Sequence, residues 1–247
     1  MTIEPDAPIS GRFLLNRGRK RMTPEERAAL EAAFDGVRSV PARRTVIERG
    51  APVDRSTLLV EGVMCRYLDD QQGHRQLLGL YIAGDFIDLH GFPLERLDHD
   101  IATITDVRIA SVPRERLKDL VARHPNLART LWFSTTVDAA MHREWIFRMG
   151  RLGATGRVAH FFSEMDARLR LAELGDEGGV PLPINQTDVA ETCGLTAVHV
   201  NRVMRRLRED GLATFRSGVL RIENRKGLHR LAEFSDDYLY PDRPVSS

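Results

Sequence analysis

The sequence predicts an α+β protein: an N-terminal antiparallel β-roll, one long helix and a C-terminal winged helix-turn-helix. Three observations predict it. Residues 37–112 are short apolar stretches broken by turn residues about every 8–12 positions, as in a protein of many short strands. Residues 125–149 hold a helical period throughout. Residues 186–207 place small, apolar and turn-forming side chains where two helices cross over a tight turn. A chain of 247 residues, 42% hydrophobic and 29% charged, can fill two cores and is too apolar to stay disordered.

Taken in order, the first element is a helix over roughly 23–35. Thr23 caps it, Pro24 takes the first helical position, and Glu26 lies three residues after the cap, with Leu30, Ala33 and Phe34 on one face. Strands follow at about 57–60, 63–68, 76–82 and 101–112, punctuated by Gly50, Gly62, Gly73 and Gly84. No helix-length segment separates them, which favours an antiparallel roll over a parallel sheet. A short helix over 113–124 and a long one over 125–149 come next. The long helix shows two apolar stripes, Leu127/Leu131/Met141/Trp145 and Phe133/Val137/Ala140/Phe147, where a surface helix needs one. One stripe can cover the roll while the other meets a second copy of the chain. A helix sandwiched inside one subunit is the alternative, since Ser134 and Asp138 interrupt the first stripe. Gly150 and Gly153 then break the helix and suit a hinge. A further helix over about 155–173 carries Val158, Phe161, Phe162, Met165 and Leu169, and ends at a Gly- and acid-rich loop over 175–179. The expected divisions are 1–124 for the first helix and roll, 125–152 for the long helix and hinge, 153–230 for the winged helix-turn-helix, and 231–247 for an acidic tail.

Net charge is only +1, but it is unevenly spread. Residues 194–230 hold nine basic and three acidic side chains, while 1–193 carry a net −2 and 231–247 a net −3. The basic segment coincides with the helix-turn-helix. Ala190 is small where the helices cross, Gly194 sits where the turn needs positive φ, and Val189, Cys193, Leu195, Val200 and Val203 are apolar at core positions. Asn185 and Thr196 are candidate caps. Residues 213–222, with a turn at Ser217-Gly218, read as the two strands of a wing. The second helix presents Thr196, Ala197, Val198, His199, Asn201 and Arg202 near its N-terminus, where such helices reach base edges in the major groove of double-stranded DNA. Arg202 can donate twice to guanine and Asn201 can pair with adenine or a phosphate. Arg205, Arg206, Arg208 and Arg216 suit phosphates, which add salt-dependent affinity without sequence information. A solvated helix face is the structural alternative for each.

In this order of elements the chain resembles the CRP/FNR family of bacterial transcription regulators. The more specific residues are Gly84-Asp85-Phe86-Ile87 in the roll, Thr155-Gly156-Arg157 after the hinge, and Gly194-Leu195-Thr196 through Arg202. The resemblance implies a cyclic-nucleotide-binding-like roll and a homodimer joined by the long helix. It also implies two heads on a palindromic site, and contact with RNA polymerase if the chain is an activator.

For the effector, the sequence departs from the cyclic-nucleotide-binding members. Those carry a glutamate and an Arg-Ser pair after the GDFI motif; here Leu89 falls at the glutamate and Leu97-Asp98 at the pair. An aspartate repels a cyclic phosphate and a leucine cannot donate to it. Arg96, one place off, compensates only if the shorter loop shifts register, which keeps a cyclic-AMP-type regulator with a divergent phosphate site as an alternative. Asp88, Arg96, Asp98 and His99, with His142 and Arg143 at the helix positions where relatives contact the base, are the candidate effector residues. Residues 1–36 lack cysteine, which disfavours the iron–sulfur cluster of oxygen-sensing members, and the eight histidines show no haem-binding spacing. No cofactor is expected, and the effector is unknown.

Two other classes compete. One is a regulatory module that binds an effector and acts through protein partners. The other is a metal-dependent enzyme in a small barrel, for which His90, His99 and Asp100 are the nearest approach to a ligand set. Cys65 and Cys193 are too few for a disulfide framework, and Cys193, at an apolar core position, reads as an inert thiol. No apolar run is long enough to cross a bilayer and residues 1–10 lack a signal-peptide layout, so a cytoplasmic, non-membrane protein without catalytic activity is expected.

Overall fold

A computed structural model describes residues 7–243. Most of the segment read for a signal peptide, and the last four residues of the acidic segment, lie outside the described residues. The chain divides into two compact units. One comprises residues up to Leu68, Gly79–Asp138 and from Asp242; the other comprises Asp69–Leu78 and Ala139–Pro241.

In the first unit, α1 (Pro24–Ala33) starts at the expected capping box, with Thr23 and Glu26 bonding each other's backbone N–H. Strands β1 (Val37–Val40), β2 (Thr45–Ile47), β3 (Arg55–Glu61), β4 (Met64–Asp69), β5 (Arg75–Tyr81), β6 (Asp100–Thr103) and β7 (Val107–Pro113) make two sheets, ordered β1-β7-β3 and β2-β6-β4-β5. The strands pair antiparallel, for example with Leu58 opposite Ala110 and Cys65 opposite Ala102. The apolar stretch 101–112 is two strands because the chain changes sheets at Ile104, whose N–H bonds Val63 O. One core cluster gathers Phe13, Leu30, Phe86, Val112, Leu117 and Leu127; a second gathers Leu59, Met64, Ile87, Leu97, Ile101 and Ile109. Gly84 has φ +100°, and a Cβ there would lie 2.5 Å from Arg12 O, so the chain needs glycine where the Gly84–Ile87 motif begins. Phe86 of that motif meets Phe13 edge-on at 5.2 Å. A short helix, α2 (Gly91–Leu94), and α3 (Arg114–Arg123) flank the roll.

Helix α4 (Pro125–Arg151) departs from expectation in two ways. It passes through Gly150, and the break falls at Leu152-Gly153, where Gly153 becomes the N-cap of α5 (Ala154–Leu171). Its apolar residues also divide differently. Leu127, Leu131, Val137 and Ala140, drawn from both expected stripes, are buried, whereas Trp132, Ala139, Ile146 and Phe147 are exposed. Trp132, Ala139 and Ile146 recur every seven residues, the period of a helix seam. The two units divide α4 between them instead of setting it apart.

In the second unit α5 is central, with Phe161, Phe162 and Met165 fully buried. Around it lie β8 (Val180–Pro181), α6 (Gln186–Cys193), α7 (Ala197–Glu209), the hairpin β9 (Ala213–Arg216) and β10 (Val219–Ile222), and α8 (Arg225–Ala232). The segment after 231 does not trail as a tail. Leu239 is buried, Phe234 meets the His160 ring edge-on at 5.5 Å, and the Tyr238 hydroxyl donates to Glu164 Oε2 at 2.8 Å, which the charge of this segment concealed.

Candidate nucleic-acid interface

Helix α6 starts with a capping box in which Asn185 and Asp188 bond each other's backbone N–H, at 2.9 and 2.8 Å. It ends at Gly194, whose φ of +61° turns the chain toward α7. Thr196 then caps α7, its hydroxyl accepting from the His199 N–H. Val189, Ala190, Cys193, Val200, Val203 and Leu207 are all buried, so the packing fixes which face of α7 looks outward. Leu195 is only half-buried. Burial pushes the Cys193 thiol up, away from the reactive thiolate.

The residues expected to meet DNA are exposed: Thr196, Ala197, Val198, His199, Asn201, Arg202, Arg205, Arg206 and Arg208 at and along α7 and, on the wing, Arg216. Their engagement differs. Arg205 pairs with Glu209 at 2.8 Å and Arg206 with Asp210 at 3.5 Å, while Arg202 makes no ion pair among the described residues. His199 Nδ1 is held by the Thr196 hydroxyl at 3.0 Å, and Asn201 Nδ2 donates to Gln186 Oε1 at 3.3 Å. Val198 is 62% exposed, an apolar side chain placed where a thymine methyl could be met.

Arg157, of the Thr155-Gly156-Arg157 motif, braces the head. It donates to Leu152 O and Met149 O, both at 2.9 Å, and to Cys193 O at 3.4 Å, so one side chain closes the end of α4 and holds the helix-turn-helix corner. Its guanidinium satisfies carbonyls that a helix end leaves open.

The candidate effector residues fall in separate settings. Asp88 is fully buried, accepts the Thr57 N–H at 2.6 Å, and is pushed by burial up to about 7. Arg96 and Asp98 are exposed at a surface depression of about 570 Å³ shared with Arg49. Asp98 fixes Nδ1 of buried His99 at 2.8 Å. His142 and the exposed Arg143 lie on the later half of α4. Leu89 and Leu97, at the nucleotide-contacting positions, are core residues. Of the possible metal trio, His90 and His99 stack 5.2 Å apart, but Asp100 accepts the Arg49 N–H instead of joining them. Among the described residues no group of three or more His, Cys, Asp or Glu is placed to hold a metal ion, and no helix is long and apolar enough to cross a membrane.

Sequence reasoning missed a buried polar group in the first unit. Arg66 is bidentate to Asp138 and lies over the Tyr81 ring at 4.7 Å, with His90 within its electrostatic reach. The available signal was Asp138 itself, a charge inside an apolar helical stripe.

A roll, a long helix and a winged head are the parts of a helix-turn-helix DNA-binding regulator. Residues 156–231 match the Crp-like helix-turn-helix domain and residues 37–124 the cyclic nucleotide-binding domain. The chain is 30% identical over 192 residues to a probable transcriptional activator of Rhizobium leguminosarum, covering 76% of this chain and 74% of that one. It is 28% identical over 210 residues to the transcriptional activator protein FnrL of Cereibacter sphaeroides, covering 84% and 82%. The solved structure of FixK2 from Bradyrhizobium japonicum superposes with a TM-score of 0.73 at 25% identity, covering 79% of this chain and 96% of that one. The chain belongs to the CRP/FNR family of bacterial transcription regulators.

Proposed function

We propose that the protein is a cytoplasmic homodimer that binds a palindromic operator through α7 and regulates transcription without catalysis. The observation that carries this is the outer face of α7: an unpaired Arg202 and a free Val198 beside Asn201, flanked by Arg205 and Arg206. Base-edge readers sit at the helix N-terminus and phosphate binders further along, which is the division of labour a major-groove helix needs. The exposed seam of Trp132, Ala139 and Ile146 supports dimerisation through α4, since a monomer seldom leaves such a row in water. Two such heads would read half-sites about one helical turn apart. Relatives named as transcriptional activators support the same role here, with RNA polymerase as the partner in activation. The effector is not a cyclic nucleotide in this reading. Leu89 and Leu97 belong to the core, Asp98 carries a negative charge, and the buried Arg66 is neutralised by Asp138.

Selection of bound fragments from random double-stranded DNA, with and without cell extract, tests the reading. Recovery of a palindrome whose binding weakens steeply with salt supports it. No enrichment under either condition overturns it.

A further inference from the structure

The first unit contains a cavity of about 510 Å³ beneath α2, between α3 and α4. Leu89, Phe92, Leu117, Leu131 and Trp132 make most of its wall, and His90 supplies its imidazole. Small-molecule sites have this size and character: mostly apolar, with a few polar groups that fix orientation. The imidazole has unused bonding capacity. Among the described residues His90 Nε2 is buried without a hydrogen-bond partner, although buried polar atoms are almost always paired. The ring is also pre-positioned, stacked on His99, which Asp98 holds in turn. Burial, with Arg66 nearby, brings His90 down to about 4, so the imidazole is neutral near pH 7 and can donate from one nitrogen and accept at the other. Among the described residues no Lys or Arg lines the cavity, and the two arginines near it are already engaged, Arg66 by Asp138 and Arg114 by Glu95, which leaves little to hold an anionic group. Leu94, 60% exposed, gives the rim an apolar surface for a flat molecule to cover.

We propose that this cavity binds a small, flat, largely apolar molecule with one neutral hydrogen-bonding group, a hydroxyl or an amide. That group pairs with His90, and the body of the molecule lies against Phe92, Leu117 and Leu131. Neither Arg96 nor Asp98 lines the cavity, although Leu94 borders both it and their depression, and Leu89 is the one wall residue at a position where nucleotide-binding relatives make their contacts. The binding claim does not depend on DNA recognition by the head.

Isothermal titration of the full chain with 1-naphthol, in the absence of DNA, tests it. Saturable binding at one site per chain is expected. Affinity should fall about tenfold in His90→Leu, the effect of losing one hydrogen bond. It should be abolished in Val121→Trp, which fills the cavity, and 1-naphthoate should bind at least about tenfold more weakly because its charge has no partner. Where Val121→Trp does not fold, Leu94→Trp fills the cavity from the exposed rim. Absence of saturable binding, binding indifferent to both His90→Leu and the filling variants, or naphthoate binding equal to naphthol overturns the proposal. So does binding seen only after Ile146→Glu separates the dimer, which would mean that the second copy covers the cavity.

Discussion

Arg66 and Asp138 form a bidentate ion pair inside the first unit, at 2.9 and 2.5 Å, joining strand β4 to helix α4. The Arg66 side chain is 7% exposed and that of Asp138 25%, so the arginine depends on its partner far more than the reverse. Removing the carboxylate leaves a buried charge unmatched, which typically costs about 3–5 kcal/mol. Water reaches Asp138, so the lower end of that range is expected for Asp138→Ala in urea unfolding. The double change Arg66→Met with Asp138→Leu should recover most of the loss, because an apolar pair of similar volume carries no desolvation penalty. A single Asp138→Ala within about 0.5 kcal/mol of wild type would show that the pair is solvated and contributes little.

Asp88 gives a pH dependence of definite sign. Its carboxyl is raised from 3.8 to about 7, so between those values the folded chain holds a proton that the unfolded chain has released. Stability therefore falls as pH rises through this window, by at most about 1.4 kcal/mol per pH unit. Asp88→Asn cannot ionise and keeps an oxygen for the Thr57 N–H. Its stability relative to wild type should improve by on the order of 2–3 kcal/mol between pH 5 and pH 8 in parallel denaturant titrations. A constant difference across that range would mean that Asp88 is already ionised when folded.

These two carboxylates also mark how far the sequence could be read. The capping boxes at Thr23 and Asn185, the positive φ at Gly194 and the apolar core of the helix-turn-helix were legible because each depends on residues a few positions apart. The exposed face of α7 followed from the same local pattern. Arg66 and Asp138 are 72 residues apart, and nothing local says that they meet. The two stripes of α4 were misdivided for a related reason: helical period groups residues by angle, while the angle that faces the roll is set by tertiary packing. Likewise the charge of 233–242 hid Phe234, Tyr238 and Leu239, which bind it to α5.

The exposed row on α4 gives a test of assembly. Ile146 is 74% exposed in the single chain, and a charge placed there would be desolvated in a helix–helix seam. Ile146→Glu is expected to shift sedimentation velocity from dimer to monomer while leaving the melting of the isolated chain within a few degrees of wild type. A variant that remains dimeric would place the interface elsewhere.

The pairing pattern on α7 separates specificity from affinity. Among the described residues Arg202 has no carboxylate partner to surrender, so on a guanine it can make two hydrogen bonds, worth about 1–3 kcal/mol of discrimination. Arg205 must share or release Glu209 to meet a phosphate, and a phosphate contact carries no sequence information. Arg202→Ala should therefore weaken binding to the selected operator far more than to random DNA. Arg205→Ala should weaken both alike and lower the slope of affinity against salt by about one unit. Fluorescence anisotropy on operator and scrambled duplexes at several salt concentrations distinguishes them. Equal losses on both duplexes for Arg202→Ala would remove it from base reading and leave Asn201 and Val198 as the remaining candidates on that face.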